Sequence, residues 1–550
     1  MNGEDYLRTQ LIAALKKTGF AQPEEIFVNL ERPKIAGHGD LATNIAMLLA
    51  PKIKRNPREI AAELLAALQL DRTLIASAEI AGAGFINFRF ANQYYHAVVK
   101  DILKQKAAYG RSTWGDNQRV QIEFISANPT GPLNIVSARA AAVGDVLANL
   151  FNAVGYAVER EYYVNDAGRQ VRLLGQSVSS RYMELLGKEE PFPEDGYHGD
   201  YIREVAREIL RQHGEVFVEK SPGQRQLELS EIALESLLST HKSVLKQYRL
   251  QFDNWFRERT LRESNAHLDI LATLTEKGFV YDLENAKWFK STQFGDEKDR
   301  VLVTSEGEPT YFLVDIAYHA DKFERDFVQL YDLWGPDHHG YIPRMKAALL
   351  ALGYPAKSFE VNIIQQVNLI EDGAVVKMSK RAGKIILMQE LLDEVGVDVA
   401  RFFFTARRSQ SPLDFDMDLA KNTSDENPVY YVQYAHARIC NVIGHAAAQG
   451  VQFDPEADLD ALAQEQEITL IKKLAEFPQT ISKAAKLLEQ HRIPTYLQDL
   501  AGLFHRFYHH CRVVTDDKQL TLARLSLVKA TQIVVANALA LLGVSAPEQM

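Results

Sequence analysis

Apolar residues recur at every third or fourth position through YLRTQLIAALKKTG, Tyr6 to Gly19, which predicts a helix with one buried face. Alternation in IFVNLERP, Ile26 to Pro33, predicts a strand. NPREIAAELLAALQL, Asn56 to Leu70, returns to helical spacing with Pro57 at an early helical position. AEIAGAGFINFRF ends in an alternating strand. The polar, glycine-containing KQKAAYGRSTWGDNQ that follows marks a boundary near residue 110.

From about residue 117 strands alternate with helices. RVQIEFIS reads as a strand, and ARAAAVGDVLANLFNAVG as a helix with Val143, Leu147, Leu150, Phe151 and Val154 on one face and Gly155 as its stop. YAVEREYYV is the next strand. Strand, helix, strand in so short a span is a βαβ unit and implies a parallel sheet. Ligands of such sheets bind beyond the carboxyl ends of the strands, where the loop SANPTGPLNIV lies. Further on, FDNWFRERTL reads as a helix, and AKWFKS, TYFLVDIAYHADKFE and LYDLWGPDHHGY as strand-then-loop edges. NLIEDGAVVKMSKRAGK reads as a hairpin turning at Asp372-Gly373, then a basic loop. After about residue 425 the pattern is helical to the end, as in a separate bundle.

Length, at 550 residues, allows three or four domains. Two cysteines, Cys440 and Cys511, are too few for a disulfide framework or a cysteine-built zinc site. No apolar run reads as a bilayer span, and the N-terminus lacks the layout of a signal peptide. A cytoplasmic protein without a membrane partner is expected. The net charge of −10 argues weakly against nucleic acid, although a local patch can still be basic.

Five sets of residues could carry chemistry. In Gly131 to Asp145, Ser137 is placed to cap a helix starting near Ala138, whose free N–H groups and dipole would suit a phosphate; a plain crossover loop fits equally well. In KMSKRAGK, Lys377, Lys380, Arg381 and Lys384 crowd into eight residues, enough to neutralise a polyphosphate or simply to form a solvated loop. Glu123 and Asp315 both fall in stretches read as strands, where a carboxylate is costly unless it is paired or meets a cationic substrate such as a guanidinium. Asp337 to Gly340, DHHG, contains metal-ligand residue types, but adjacent histidines on an extended segment diverge, so a pocket edge is expected and no metal site. In the last region Tyr430, Tyr431, Tyr434, His436 and Arg438, with HRFYHHCR at 505–512, offer aromatic and basic groups suited to unpaired bases, or to a helix core.

Taken together, SANPTGPL, EREYYVNDAG, GYHGDYI, YFLVDIAYHADKFER, GPDHHGY, KMSKR, NPVYYVQYAHARI and LALLGVSAPEQM, with GHGDLATNIAMLLA near the start, resemble the arginyl-tRNA synthetases, class I aminoacyl-tRNA synthetases. The likeness runs in order along nearly the whole chain. It implies a multidomain α/β protein: a small α+β domain over 1–112 that contacts the tRNA elbow, a Rossmann-type parallel-sheet catalytic domain with insertions over 113–425, and an all-α anticodon-binding bundle over 426–550. It implies ATP with Mg²⁺, L-arginine and the arginine tRNA as partners, and a monomer.

The resemblance also assigns residues. Ala127, Asn128, Pro129, Thr130, Gly131, Pro132, Leu133, Asn134, Ile135, Val136 and Ser137 match the ATP-binding loop, with Lys377, Met378, Ser379 and Lys380 as the lysine signature. Asn134, Ser137, Lys377 and Lys380 match the catalytic positions. Glu123, Asn128, Tyr311, Asp315, Asp337 and His338 match the arginine pocket, and Tyr430, Tyr434 and Arg438 the tRNA contacts. One departure stands out. The family has His-x-Gly-His where this chain reads Asn134-Ile135-Val136-Ser137, so charged donors give way to neutral ones and valine fills space that glycine leaves for adenine. That departure admits an alternative, a non-catalytic or weakened tRNA-binding paralogue. A dinucleotide-dependent oxidoreductase is disfavoured by the absence of G-x-G-x-x-G after the first strand of the βαβ unit.

Overall fold

The computed structural model describes residues 3–20, 28–33, 35–376 and 386–550. The N-terminal unit carries the expected helices Gly3–Thr18 and Pro57–Ala67, the latter capped by Asn56, whose side chain accepts from the Arg58 N–H at 2.9 Å. Its three-stranded antiparallel sheet is ordered Leu41–Thr43, Phe85–Phe90, Ile75–Ala81. The strand expected over 26–33 does not form in its described part, which offers only an isolated bridge from Glu31 to Ala42.

The middle of the chain is built on a five-stranded sheet. We label its strands β1 (Arg119–Glu123), β2 (Ala157–Val164), β3 (Asn254–Arg257), β4 (Gln329–Trp334) and β5 (Phe359–Ile363). Every neighbouring pair is parallel, and the order is β5-β4-β1-β2-β3. The chain winds outward from β1 through β2 to β3, then crosses back to β4 on the other side. The reversal point lies between β1 and β4, where a doubly wound sheet opens a crevice at its carboxyl edge. The crossover from β1 to β2 is the helix Ile135–Ala153, buried nearly all round because it is sandwiched between the sheet and neighbouring helices.

Two assignments are corrected. FDNWFRERTL is not one helix: Asn254–Arg257 forms the edge strand β3, and only Glu258–Glu263 is helical. TYFLVDIAYHADKFE is not a strand but the helix Tyr311–Glu324. Its Tyr, Phe, Val and Ile content has strand propensity, yet Phe312, Leu313 and Ile316 share one buried face at helical spacing, and the Thr310 hydroxyl caps the Leu313 N–H. The segment at DHHG is also not extended, since Pro336–Tyr341 is a 3₁₀ turn.

Further elements flank the sheet, among them a three-stranded antiparallel sheet of Val280–Leu283, Ala286–Phe289 and Arg300–Val303 between β3 and β4. Between β2 and β3, helices Arg169–Leu185, Asp200–His213 and Pro222–Gln247 enclose their own small core. Beyond β5 comes the expected hairpin, Val367–Glu371 and Ala374–Val376, with positive φ at both Asp372 (51°) and Gly373 (71°). The C-terminal bundle holds helices Pro428–Ala448, Glu465–Ala475, Phe477–Lys486, Arg492–His510 and Lys518–Leu542. By length and composition the last of these could cross a bilayer, contrary to the sequence expectation. Here it is the central, mostly buried helix of the bundle, so its apolar character is accounted for by packing.

Candidate functional site

The loop after β1 turns sharply. Ile125 and Ser126 both take positive φ, 69° and 40°, which is strained for residues with a Cβ and doubly so for a β-branched one. The turn is held by Ser126, whose hydroxyl donates to Glu123 Oε1 (2.8 Å) and accepts from the Tyr163 N–H (3.1 Å). Three carbonyls of the following loop are then fixed from below. Ala127 accepts from the Tyr162 hydroxyl at 2.8 Å, Thr130 from the Tyr201 hydroxyl at 2.8 Å, and Gly131 from His241 Nε2 at 2.7 Å. Burial lowers the His241 pKa, so its ring is neutral when it makes this bond. A side chain at Gly131 would come within 3.2 Å of the Tyr201 hydroxyl.

The helix that follows starts earlier than expected and with a different cap. Asn134, not Ser137, is the N-cap: its Oδ1 accepts from the N–H groups of Val136 (2.9 Å) and Ser137 (3.1 Å). The Ile135 N–H bonds the Ile386 carbonyl at 3.1 Å. The first N–H groups of the helix are therefore already engaged, and the Ser137 hydroxyl also donates to Asn134 Oδ1 at 3.4 Å, which leaves the dipole and the Asn134 amide nitrogen to face an anion. Val136 keeps 42% of its surface exposed, so it is not part of the core. Replacing Asn134 with alanine removes both cap bonds; about 1 kcal/mol of stability is lost, read as a lowered denaturant midpoint.

Lys377, Met378, Ser379 and Lys380 lie outside the described residues. The chain just beyond that stretch is stitched to the capped helix: Ile386 accepts from Ile135, and the Met388 N–H bonds the Leu133 carbonyl at 2.9 Å.

Beside this loop lies a buried charged layer. The register puts Glu123 directly opposite Glu161 on β2 and opposite Asp332 on β4, a row of three carboxylates. The helix Tyr311–Glu324 lies over this row. Its Lys322 is completely buried and donates to Glu123 Oε2 (2.6 Å) and Asp332 Oδ1 (3.2 Å). The Tyr318 hydroxyl is 2.9 Å from Glu123 and 2.6 Å from Glu161, and Arg325 donates to Glu161 at 2.7 Å. His319 bonds the Asp315 carbonyl through Nδ1 (2.8 Å) and Asp332 through Nε2 (2.9 Å). Burial opposes charge on His319, but the Asp332 carboxylate outweighs it and raises the pKa. Burial likewise raises Glu123 and Asp315, against Lys322 at the first and against His319 and the Tyr341 hydroxyl at the second.

Glu123 thus lies within the network, while Asp315 joins it through its backbone carbonyl and turns its half-buried carboxyl to the Tyr341 hydroxyl; Asn128, Tyr311, Asp337 and His338 are exposed. Sequence reasoning missed Ser126, Tyr162, Glu161, Tyr201, His241, Tyr318, His319, Lys322 and Asp332. Reading 311–324 as a helix would have found Asp315, His319 and Lys322, which recur at spacings of four and three.

In the bundle, Tyr430 and Tyr434 stack with ring centroids 6.2 Å apart. The Arg438 guanidinium lies 4.6 Å from the Tyr434 ring, donates to its hydroxyl, and lies 5.4 Å from Tyr508. His445, His509, His510 and Arg512 line the same groove as Arg438 and Tyr508. His436 faces inward instead, against the Pro547 carbonyl at 2.8 Å.

A parallel sheet with a fixed loop at its reversal point, a hairpin leading to a lysine-rich segment and a helical appendage define a nucleotide-binding synthetase architecture. Comparison with known proteins narrows this. The pattern of the class I (R) tRNA synthetase catalytic domain matches residues 98–410, that of the arginyl tRNA synthetase N-terminal domain 5–90, and that of the DALR anticodon binding domain 432–550. An arginine–tRNA ligase of Halalkalibacterium halodurans is 47% identical over 99% of this chain and 98% of its own length. One from Carboxydothermus hydrogenoformans is 48% identical over 98% and 97%. The arginyl-tRNA synthetase structure of Thermus thermophilus shares the fold, with a TM-score of 0.79 at 22% identity, covering 99% of this chain and all of that one. The chain belongs to the arginyl-tRNA synthetase family.

Proposed function

We propose that this protein is an arginine–tRNA ligase that carries out both steps of charging at the crevice between β1 and β4. The observation that carries the reading is the pairing, at one sheet edge, of a rigid capped loop with the buried carboxylate of Glu123 and the half-buried one of Asp315. ATP enters with Mg²⁺ as its substrate complex. The arginine carboxylate attacks the α-phosphate, the bond to the β-phosphate breaks, and pyrophosphate leaves. A terminal ribose hydroxyl of the tRNA then attacks the adenylate carbonyl and AMP leaves.

In this reading the protein contributes position and charge. Glu123 and Asp315 hold the guanidinium, which carboxylates grip bidentately. Asn128 takes the amino group, with Tyr311, Asp337 and His338 at the pocket edge. Residues 127–133 cradle the nucleotide. Lys377 and Lys380 follow the charge that builds on the pyrophosphate, and Met378 and Ser379 lie between them. Asn134 and Ser137 stand in for the family's histidines. Because the cap occupies the Asn134 oxygen, its amide nitrogen is the donor left for phosphate. The units 1–112, 113–425 and 426–550 act as elbow contact, catalytic domain and anticodon reader in a cytoplasmic monomer.

The test is charging of total tRNA with each of the twenty amino acids. Arginine-only charging supports the reading. No charging with tRNA still bound would make the protein a silenced binder. For the bundle, Tyr430, Tyr434, Tyr508 and Arg438 form a surface on which unpaired bases can stack. Arg438→Ala should raise the KM for tRNA about tenfold, the loss of one stacked cation, and leave the KM for arginine unchanged.

A further inference from the structure

Three carboxylates side by side in adjacent parallel strands, about 4.8 Å apart, repel one another and cannot all stay ionised without buried cations. Lys322 touches two of the three. It reaches them from the helix Tyr311–Glu324 and has no exposure to solvent, so its charge serves only the row. Burial works against that charge, but Asp332, Glu123 and Glu161 outweigh it and keep Lys322 an ammonium.

Glu123 is the middle carboxylate of the row and the last residue of β1, at the carboxyl edge of the sheet where the crevice opens. Ser126 holds one of its oxygens, and Lys322 and Tyr318 hold the other, so the carboxylate plane is fixed. We infer that Lys322 is a positioning residue for arginine recognition: its ammonium pairs with Glu123 and aims this carboxylate so that it can receive the guanidinium. This rests on the proposed role of Glu123.

The groups facing Glu123 are Lys322, His319, Tyr318 and Asp315 from the overlying helix, Asp332 from β4, and Glu161 and Tyr163 from β2. Lys322 is the largest charge opposing the burial penalty on Glu123. Without it, desolvation and the neighbouring carboxylates favour protonated Glu123. A neutral acid offers the guanidinium no ion pair and half its former acceptors.

Lys322→Met should raise the KM for arginine about thirtyfold at neutral pH, with the KM values for ATP and tRNA within about twofold. The defect should shrink as pH rises and Glu123 deprotonates, while the parent enzyme changes little. Lys322→Arg should recover most of the loss. If Lys322→Met does not fold, Glu123→Gln/Lys322→Met removes both charges of the pair and avoids a lone buried ion. Its arginine KM should equal that of Glu123→Gln alone, because the lysine acts through that carboxylate. An unchanged arginine KM in Lys322→Met, equal losses for all three substrates, or multiplied effects in the double variant would overturn the inference. A Glu123→Gln enzyme with normal arginine KM would instead remove the role of Glu123 itself.

Discussion

Replacing Asp315 with asparagine should nearly abolish arginine use and, at the same time, raise the melting temperature of the free protein. Burial is the main influence on this carboxyl and raises its pKa, with His319 and the Tyr341 hydroxyl pulling the other way. A group whose folded pKa lies above its unfolded value adds stability only at low pH and loses it as pH rises through the folded value. At neutral pH the ionised Asp315 therefore works against the fold. Asparagine keeps the shape and can still accept from Tyr341, but carries no charge. Arginine binding reverses the balance, since a guanidinium beside the carboxylate repays its desolvation. Losing that bond costs roughly 3–4 kcal/mol, so kcat/KM for arginine should fall about 10²- to 10³-fold. ATP binding, measured by equilibrium dialysis, should stay within about twofold. Thermal melts should show the variant more stable without arginine and unmoved by adding it. A variant that still charges arginine normally would remove Asp315 from the pocket.

The second large effect is expected at Arg139, within the crossover helix. Its side chain is completely buried and meets no carboxylate among the described residues. It donates instead to four carbonyls: Gln365 (2.7 Å), Gln366 (3.2 Å), Arg408 (3.0 Å) and Ser411 (2.8 Å). Burial pulls its pKa down to about 10, which still leaves it charged at neutral pH. One guanidinium thus ties the chain after β5 to the segment that leads into the strand Leu413–Asp416, and so braces the base of the hairpin that precedes Lys377. Arg139→Met strips the Gln365 and Ser411 carbonyls of this donor, whereas Gln366 and Arg408 keep the backbone N–H groups of Leu413 and Ser411. At about 1–3 kcal/mol for each of these two unsatisfied groups, partly recovered by relaxation, a loss of roughly 3 kcal/mol is expected. Lysine should not rescue it, because a single ammonium cannot span both chain segments in the planar fork that arginine provides. Limited proteolysis should find new cleavage between about residues 365 and 411, and melting should begin several degrees lower. Normal melting in Arg139→Met would show that the Gln365 and Ser411 carbonyls find other partners.

Much of the architecture was legible because it rests on local chemistry. The βαβ unit follows from the spacing of Val143, Leu147 and Phe151 between two short apolar runs. The hairpin at Asp372-Gly373 follows from residues that accept positive φ, and the helical bundle from unbroken periodicity after residue 425. The N-cap was placed three residues too late because asparagine and serine are both good caps, and only the path of the backbone decides between them. The stretch at 311–324 was misread because aromatic and β-branched residues favour strands in isolation. Packing against the sheet overrides that preference.

What the sequence determined by itself is the set of elements and the family likeness, since side-chain period, turn residues and ordered motifs are properties of neighbours along the chain. What only the tertiary structure decided is which charges meet. The row Glu161, Glu123 and Asp332 exists because three strands far apart in sequence align in one register, and Lys322 answers it only because its segment is a helix lying across them. Arg139 finds its four carbonyls in the same way. Register and crossing are set by long-range burial, and no local pattern encodes them.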